Sequence, residues 1–122
     1  MTGKNKGLYG HDLENLAKKL KIDNFRGVFT KDLLPDKFWS RETLIINLDT
    51  VLGYGTHWVA ARKIGFRVIY FDSYGNIPPP VEIVRYYKGC EILYNGAHFQ
   101  NFNTTNCGEL CLEFLHNTRN IK

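Results

Sequence analysis

From Cys107 onward the chain carries an apolar stripe that dictates a helix. Cys107, Leu110, Cys111, Phe114 and Leu115 fall at i, i+3, i+4, i+7 and i+8, the spacing of an amphipathic helix with a wide buried face. Asn106-Cys107-Gly108-Glu109 reads as a capping-box variant, with Asn106 at the N-cap and Glu109 at N3. A second helix is expected from Asp12 to Leu20, with Leu13, Leu16, Ala17 and Leu20 on one face. Asp12 serves there as N-cap, and Glu14 with Lys18 forms a favourable i, i+4 pair. Between the two, Thr43–Leu48, Trp58–Arg62, Phe66–Phe71 and Cys90–Tyr94 read as strands. A short helix is expected to start at Pro80. Asn24–Trp39, interrupted by Gly27 and Pro35, reads as extended and loop-rich. Strands in the middle and helices at both ends make an α+β domain.

The 122 residues carry no repeat, linker or low-complexity stretch, so 1–122 reads as a single domain. At 43% hydrophobic and 23% charged, the composition excludes a disordered chain. No apolar run approaches the ~20 residues of a membrane span, and the first residues do not form a secretion signal. The expectation is therefore a protein that is neither secreted nor membrane-bound. A net charge of +4 permits a weak contact with DNA without arguing for one. Cys90, Cys107 and Cys111 are an odd number, which without a secretory route reads as free thiols.

A free cysteine on an apolar stripe is usually an inert, small core residue. Cys107 differs by its place in the first helical turn, where the helix dipole and unpaired N–H groups favour a thiolate. A thiolate nucleophile needs a base, and the histidines are His11, His57, His98 and His116. If the hairpin between the second and third strands turns at Ile64-Gly65, Lys63 faces Phe66, Ala61 faces Val68, Val59 faces Tyr70 and His57 faces Asp72. Directly opposed side chains have Cβ atoms about 4.5–5.5 Å apart. A carboxylate at that distance can orient an imidazole and stabilise its charged form, as in any nucleophile–base–acid triad. The developing oxyanion needs donors. The Cys107 N–H is one, and the side-chain amide of Gln100, Asn101, Asn103 or Asn106 could be another.

The words Gly55-Thr56-His57-Trp58, Tyr70-Phe71-Asp72-Ser73-Tyr74-Gly75, Gln100 and Asn106-Cys107-Gly108, in this order, resemble the adenoviral-type (adenain-like) cysteine endopeptidases. These are relatives of the proteases that process ubiquitin-like modifiers. The likeness covers about residues 43–116. It implies a papain-like fold in circularly permuted order, with a small central, mostly antiparallel sheet flanked by helices. It implies Cys107 as nucleophile, His57 as general base, Asp72 as its orienting acid and Gln100 in the oxyanion hole. It also implies substrate-binding positions at Trp58, Gly27 and Asn106. The implied activity is maturation cleavage of viral capsid and core precursor polypeptides, by a monomer acting in the virion and the infected cell. No cofactor is required on this reading. Family members can be stimulated by DNA or by a viral peptide joined through a cysteine, and Cys90 lies in the right general region. The short chain resembles the compact form expected of a virophage, polinton-like or adintovirus-like element.

Removal of ubiquitin-like modifiers would use the same residues on a different substrate. A catalytically silent papain-like module finds no support, because all four chemical positions hold competent residues. A metal site from Cys107, Cys111 and a histidine lacks the usual CxxC pair. A dedicated DNA-binding domain has no motif behind it.

Overall fold

The computed structural model describes residues 10–49, 57–95 and 107–121. Along the chain run α1 (Gly10–Lys19), β1 (Phe25–Thr30), a 3-10 turn (Lys31–Leu33), β2 (Arg41–Asn47), β3 (Trp58–Ile64), β4 (Arg67–Phe71), α2 (Val81–Tyr86), β5 (Glu91–Tyr94) and α3 (Cys107–Asn117). The strands form one sheet in the order β1-β2-β3-β4-β5. The fold is mixed α+β, as expected. The central pairs β2–β3 and β3–β4 are antiparallel, while both edge strands, β1 and β5, pair parallel to their neighbours.

Each face of the sheet is covered. Ile45, Trp58, Ala60 and Phe71 pack with Leu13 and Ala17 of α1 and with Cys107, Cys111, Leu112 and Leu115 of α3. Leu44, Ile46, Val59, Ala61, Val68 and Tyr70 point the other way, onto Ile83 and Tyr87 by α2. Alternation along β2 and β3 therefore feeds two cores, which is why the Thr43–Leu48 run lacks polar outward positions. Each fully buried Leu, Ile or Val contributes about 1.5–3 kcal/mol relative to exposure.

Two elements differ from the sequence reading. Phe25–Thr30 is a strand rather than a loop-rich segment. Its partner is β2, and the register shifts between Phe25 and Gly27, where Gly27 has φ 140°. Only a glycine takes that backbone easily, so the residue that broke the strand pattern is the one that lets the strand bend. Secondly, the β3–β4 turn is Gly65-Phe66, with Ile64 paired to Arg67 and Ala60 to Phe71. Gly65 has φ 61°, placing glycine first in the turn as a type II′ hairpin requires. The ladder has slid by two residues from the expected pairing. A slide of two keeps every side chain on its face.

Charged residues inside the fold are hydrogen-bonded. Arg62 of β3 is buried and makes a bidentate pair with Asp23 at 2.8 and 2.9 Å. It also donates to the Leu115 carbonyl at 2.8 Å and to Thr118 Oγ1 at 2.9 Å. This ties the C-terminal end of α3 to the sheet. On the opposite face, buried Glu42 accepts from Arg26, Tyr86, Tyr87 and the Trp39 N–H.

Candidate active site

The site forms where β3 begins, β4 ends and α3 begins. His57 stands just before β3 and Asp72 just after β4. In the observed register Asp72 is diagonal to His57 rather than opposite, on the same face. His57 Nε2 lies 2.9 Å from Asp72 Oδ1. The two side chains are 13% and 2% exposed, so this contact is largely dry and stronger than a surface pair.

Asp72 is held on all sides. Its Oδ1 also accepts the Tyr74 N–H at 3.0 Å. The Asn95 side chain, at the end of β5, accepts from the Asp72 N–H at 2.9 Å and donates to the Asp72 carbonyl at 2.8 Å. The Gly75 N–H reaches the same carbonyl at 2.9 Å. The Tyr74 ring stacks on the imidazole of His57, with centroids 4.5 Å apart and planes 1° apart.

With Nε2 committed to Asp72, Nδ1 is the imidazole nitrogen left to meet the thiol. It is buried and has no hydrogen-bond partner among the described residues. Burial works against a charged imidazole. The hydrogen bond to Asp72 and the neighbouring Cys107 outweigh it and hold the His57 pKa up to about 9. Cys107 opens α3, and its Sγ accepts the Trp58 backbone N–H at 3.3 Å. The thiol, the imidazole and the carboxylate thus meet at one end of the sheet.

Gly108 sets how closely α3 approaches. A Cβ there would stand 2.9 Å from Leu13 Cδ2 of α1 and 3.5 Å from Trp58 Cδ1. A side chain there would force either the fully buried Leu13 side chain or the first turn of α3, which carries Cys107, to shift, while its distance from Trp58 is an ordinary contact. Cys111, one turn on, is fully buried, and burial together with Cys107 pushes its thiol pKa well up. Cys90 is half-buried against the α2-side core.

The remaining expectations fall as follows. The Trp58 indole is buried among α1, α3 and the sheet, while its main chain faces the thiol. Gly27 lies on edge strand β1, close to the Glu14 carboxylate and the Phe29 ring. Gln100, Asn106 and His98 lie outside the described residues. His11 is exposed beside Asp12, and His116 is in the last turn of α3, at the far end from Cys107. Asp12 sits within the first turn of α1, which starts at Gly10, rather than capping it. No group of three or more His, Cys, Asp and Glu is placed to hold a metal ion among the described residues. No helix among them is long and apolar enough to cross a membrane. A groove of about 560 Å³ lies at the opposite, hairpin end of β3 and β4, lined in part by Ile64, Phe66, Leu93 and Ile121. None of the three converging side chains lines it.

Tyr74, Asn95 and Gly108 had no assigned role in the residue-level reading of the sequence. The signal available was the spacing of Tyr74 two residues past the acid and of Gly108 one past the thiol. Asn95 carried no signal, since its contacts are to main chain.

The chain matches no protein-family model. It matches no curated protein sequence. Solved structures do resemble it. One is the SUMO protease Ulp1 with its catalytic cysteine oxidised to a sulfinic acid, at TM-score 0.57 and 15% identity over 92% of this chain and 66% of that one. Another is the ASFV pS273R protease, at TM-score 0.48 and 18% identity over 100% of this chain and 62% of that one. The chain thus spans less than two thirds of either neighbour's length. Its fold is that of the Ulp1-like, papain-like cysteine proteases.

Proposed function

We propose that this chain is a cysteine endopeptidase that hydrolyses peptide bonds through an acyl-enzyme on Cys107. The observation that carries this reading is the convergence at one sheet end. His57 Nε2 is fixed on Asp72 at 2.9 Å, its Nδ1 is left for the thiol, and Cys107 Sγ is held by the Trp58 N–H. In the first step the Cys107 thiolate attacks the scissile carbonyl carbon. The proton resident on His57 Nδ1 passes to the leaving amine. Water then attacks the thioester carbonyl and gives one proton to His57; the carbon–sulfur bond breaks, releasing the carboxylic acid and restoring the Cys107 thiolate beside the protonated imidazole. Asp72 holds the ring orientation and its positive charge throughout. The helix-start N–H of Cys107 and the Gln100 amide, assigned through the adenain-like resemblance, receive the oxyanion.

The substrates proposed are the capsid and core precursor polypeptides of a virus or virus-like element, cut inside the infected cell and the assembling virion. A second reading, removal of a ubiquitin-like modifier, is favoured by the likeness to a SUMO protease at TM-score 0.57. Incubation with the element's own capsid proteins, with new termini mapped by mass spectrometry, separates the two. Discrete cleavages that disappear with Cys107→Ala support maturation. Cleavage only of a modifier's C-terminal extension supports the second reading, and cleavage by Cys107→Ala overturns both. Stimulation by DNA, or by a viral peptide on Cys90, is tested by a salt titration of activity with and without each. An activity indifferent to salt, DNA and peptide removes it.

A further inference from the structure

We infer that Arg62 is a positioning residue of this site: it fixes the axial register of α3 on β3, and through that helix the place of the Cys107 thiol beside His57. The inference rests on the proposed thiol–imidazole chemistry and adds to it a side chain at the other end of the helix. α3 is pinned to β3 twice. At its start, Cys107 Sγ accepts the Trp58 N–H at 3.3 Å. At its end, the Arg62 guanidinium donates to the Leu115 carbonyl at 2.8 Å and to Thr118 Oγ1 at 2.9 Å. From Cys107 to Leu115 is eight residues, about 12 Å of helix. From Trp58 to Arg62 is four residues, about 13 Å of strand. Helix and strand thus cover the same length between the two pins, and both pins close together in one register only. Between them the contact is apolar, with Ala60 of β3 in the same core as Cys111 and Leu112. Apolar contact is not directional. It presses α3 onto the sheet without fixing where along the strand the helix sits.

The guanidinium is itself held. Arg62 donates to both Asp23 carboxylate oxygens, at 2.8 and 2.9 Å. The main chain there is fastened to β2, since the Asp23 carbonyl accepts from Thr43 Oγ1 and the Asn24 carbonyl from the Thr43 N–H, each at 2.9 Å. A planar fork gripped on one edge aims its remaining N–H groups in one direction. The Thr118 hydroxyl extends the contact, donating to the Phe114 carbonyl at 2.8 Å. The Arg62 side chain is only 2% exposed. An apolar side chain of similar volume would seal that space at lower desolvation cost, so a guanidinium there points to a directional task. A slip of α3 by one residue would carry the thiol about 1.5 Å along the helix axis. A misplacement of about 1 Å at the reacting atoms costs on the order of 10²-fold in rate.

The test uses Cys111 as an internal witness, because it lies on α3 between the pins and is sealed in the core. Arg62→Met, Arg62→Lys and Thr118→Val are made in the full chain. Iodoacetamide labelling of each cysteine is timed at neutral pH, and the His57 ring is titrated by NMR. Ile83→Val, in the core on the other face of the sheet, controls for lost stability. Arg62→Met is expected to slow Cys107 labelling about tenfold, because a thiol parted from the imidazolium is a poorer nucleophile. It is expected to lower the pH of the His57 transition by about 0.5–1 unit, and to leave Cys111 unlabelled. Arg62→Lys keeps the charge without the fork and should recover part of both effects. If Arg62→Met does not fold, Thr118→Val carries the test with the same signs. Ile83→Val should change none of the three readings. Unchanged Cys107 labelling and an unchanged His57 transition overturn the inference. So does rapid labelling of Cys111, which would mean that α3 has left the sheet and that Arg62 acts on stability alone. An unaltered chain whose Cys107 labels like a cysteine in an unfolded peptide removes the thiol–imidazole premise instead, and that outcome is read without any variant.

Discussion

Asp72 does several jobs with one carboxylate, and the loss of its charge separates them. Asp72→Asn keeps size and the acceptor for the Tyr74 N–H, yet an amide cannot balance an imidazolium. The expected result is a kcat lowered by about 10²–10⁴-fold with KM little changed, read from steady-state peptide cleavage. At the same scale, Cys107 is expected to alkylate at neutral pH faster than Cys111, whose thiol is sealed in the core. Mass spectrometry of the labelled peptides gives the ratio, and equal rates would contradict it. Cys107, His57 and Asp72 were legible in the sequence because each combines a reactive group with a position set by local structure. A helix start, a strand start and a strand end can all be read from patterning. Tyr74 was not legible in the same way. Its contact with His57 depends on a ring plane, and nothing in a one-dimensional pattern records that.

The β3–β4 hairpin shows why the His57–Asp72 contact could be found from a wrong turn. The expected register was off by two residues, and face depends only on parity. The diagonal neighbour is still within reach of a side chain. β1 was missed for the opposite reason. Its pairing is parallel, its partner lies beyond the 3-10 turn, and Gly27 interrupts its alternation. Packing between elements also fixes the thiol. Gly108→Ala places a methyl 2.9 Å from Leu13 Cδ2. It is expected to cost about 1–2 kcal/mol in urea unfolding and to lower cleavage more than stability alone explains. At the other end of α3, Asp23→Ala leaves the Arg62 guanidinium buried with the Leu115 carbonyl and Thr118 as its remaining partners among the described residues. Because Asp23 is partly exposed, the expected loss is about 1–3 kcal/mol, below that of a fully buried pair.

Across the whole molecule, two titrations bound the stable range. The His57 pKa is raised, so its contribution is complete below about 6.5 and is lost as pH rises through about 9. Asp23 is held below the usual carboxylate range, chiefly by its hydrogen bonds from Arg62. Its contribution is present above about 3.9 and is lost as pH falls from there. Urea midpoints are therefore expected to be flat between about pH 5 and 6, to fall through neutrality as the pH rises from about 6.5 toward 9, and to fall again in acid below about pH 4. His57→Gln should weaken the alkaline fall, and Asp23→Asn the acid one. If either variant kept the slope it is meant to remove, the assignment would be wrong. The order of the chain adds a consequence for synthesis. Every strand precedes α3, so a chain emerging from the ribosome presents the imidazole and its carboxylate before the thiol exists. The hairpin joining His57 to Asp72 is local, whereas Cys107 arrives from 35 residues beyond Asp72 and is seated only when α3 docks. A nascent or partly opened chain therefore holds the thiol apart from the imidazole. Arg62 latches the far end of α3, so local release of that helix would part the thiol from the imidazole while the sheet stays folded.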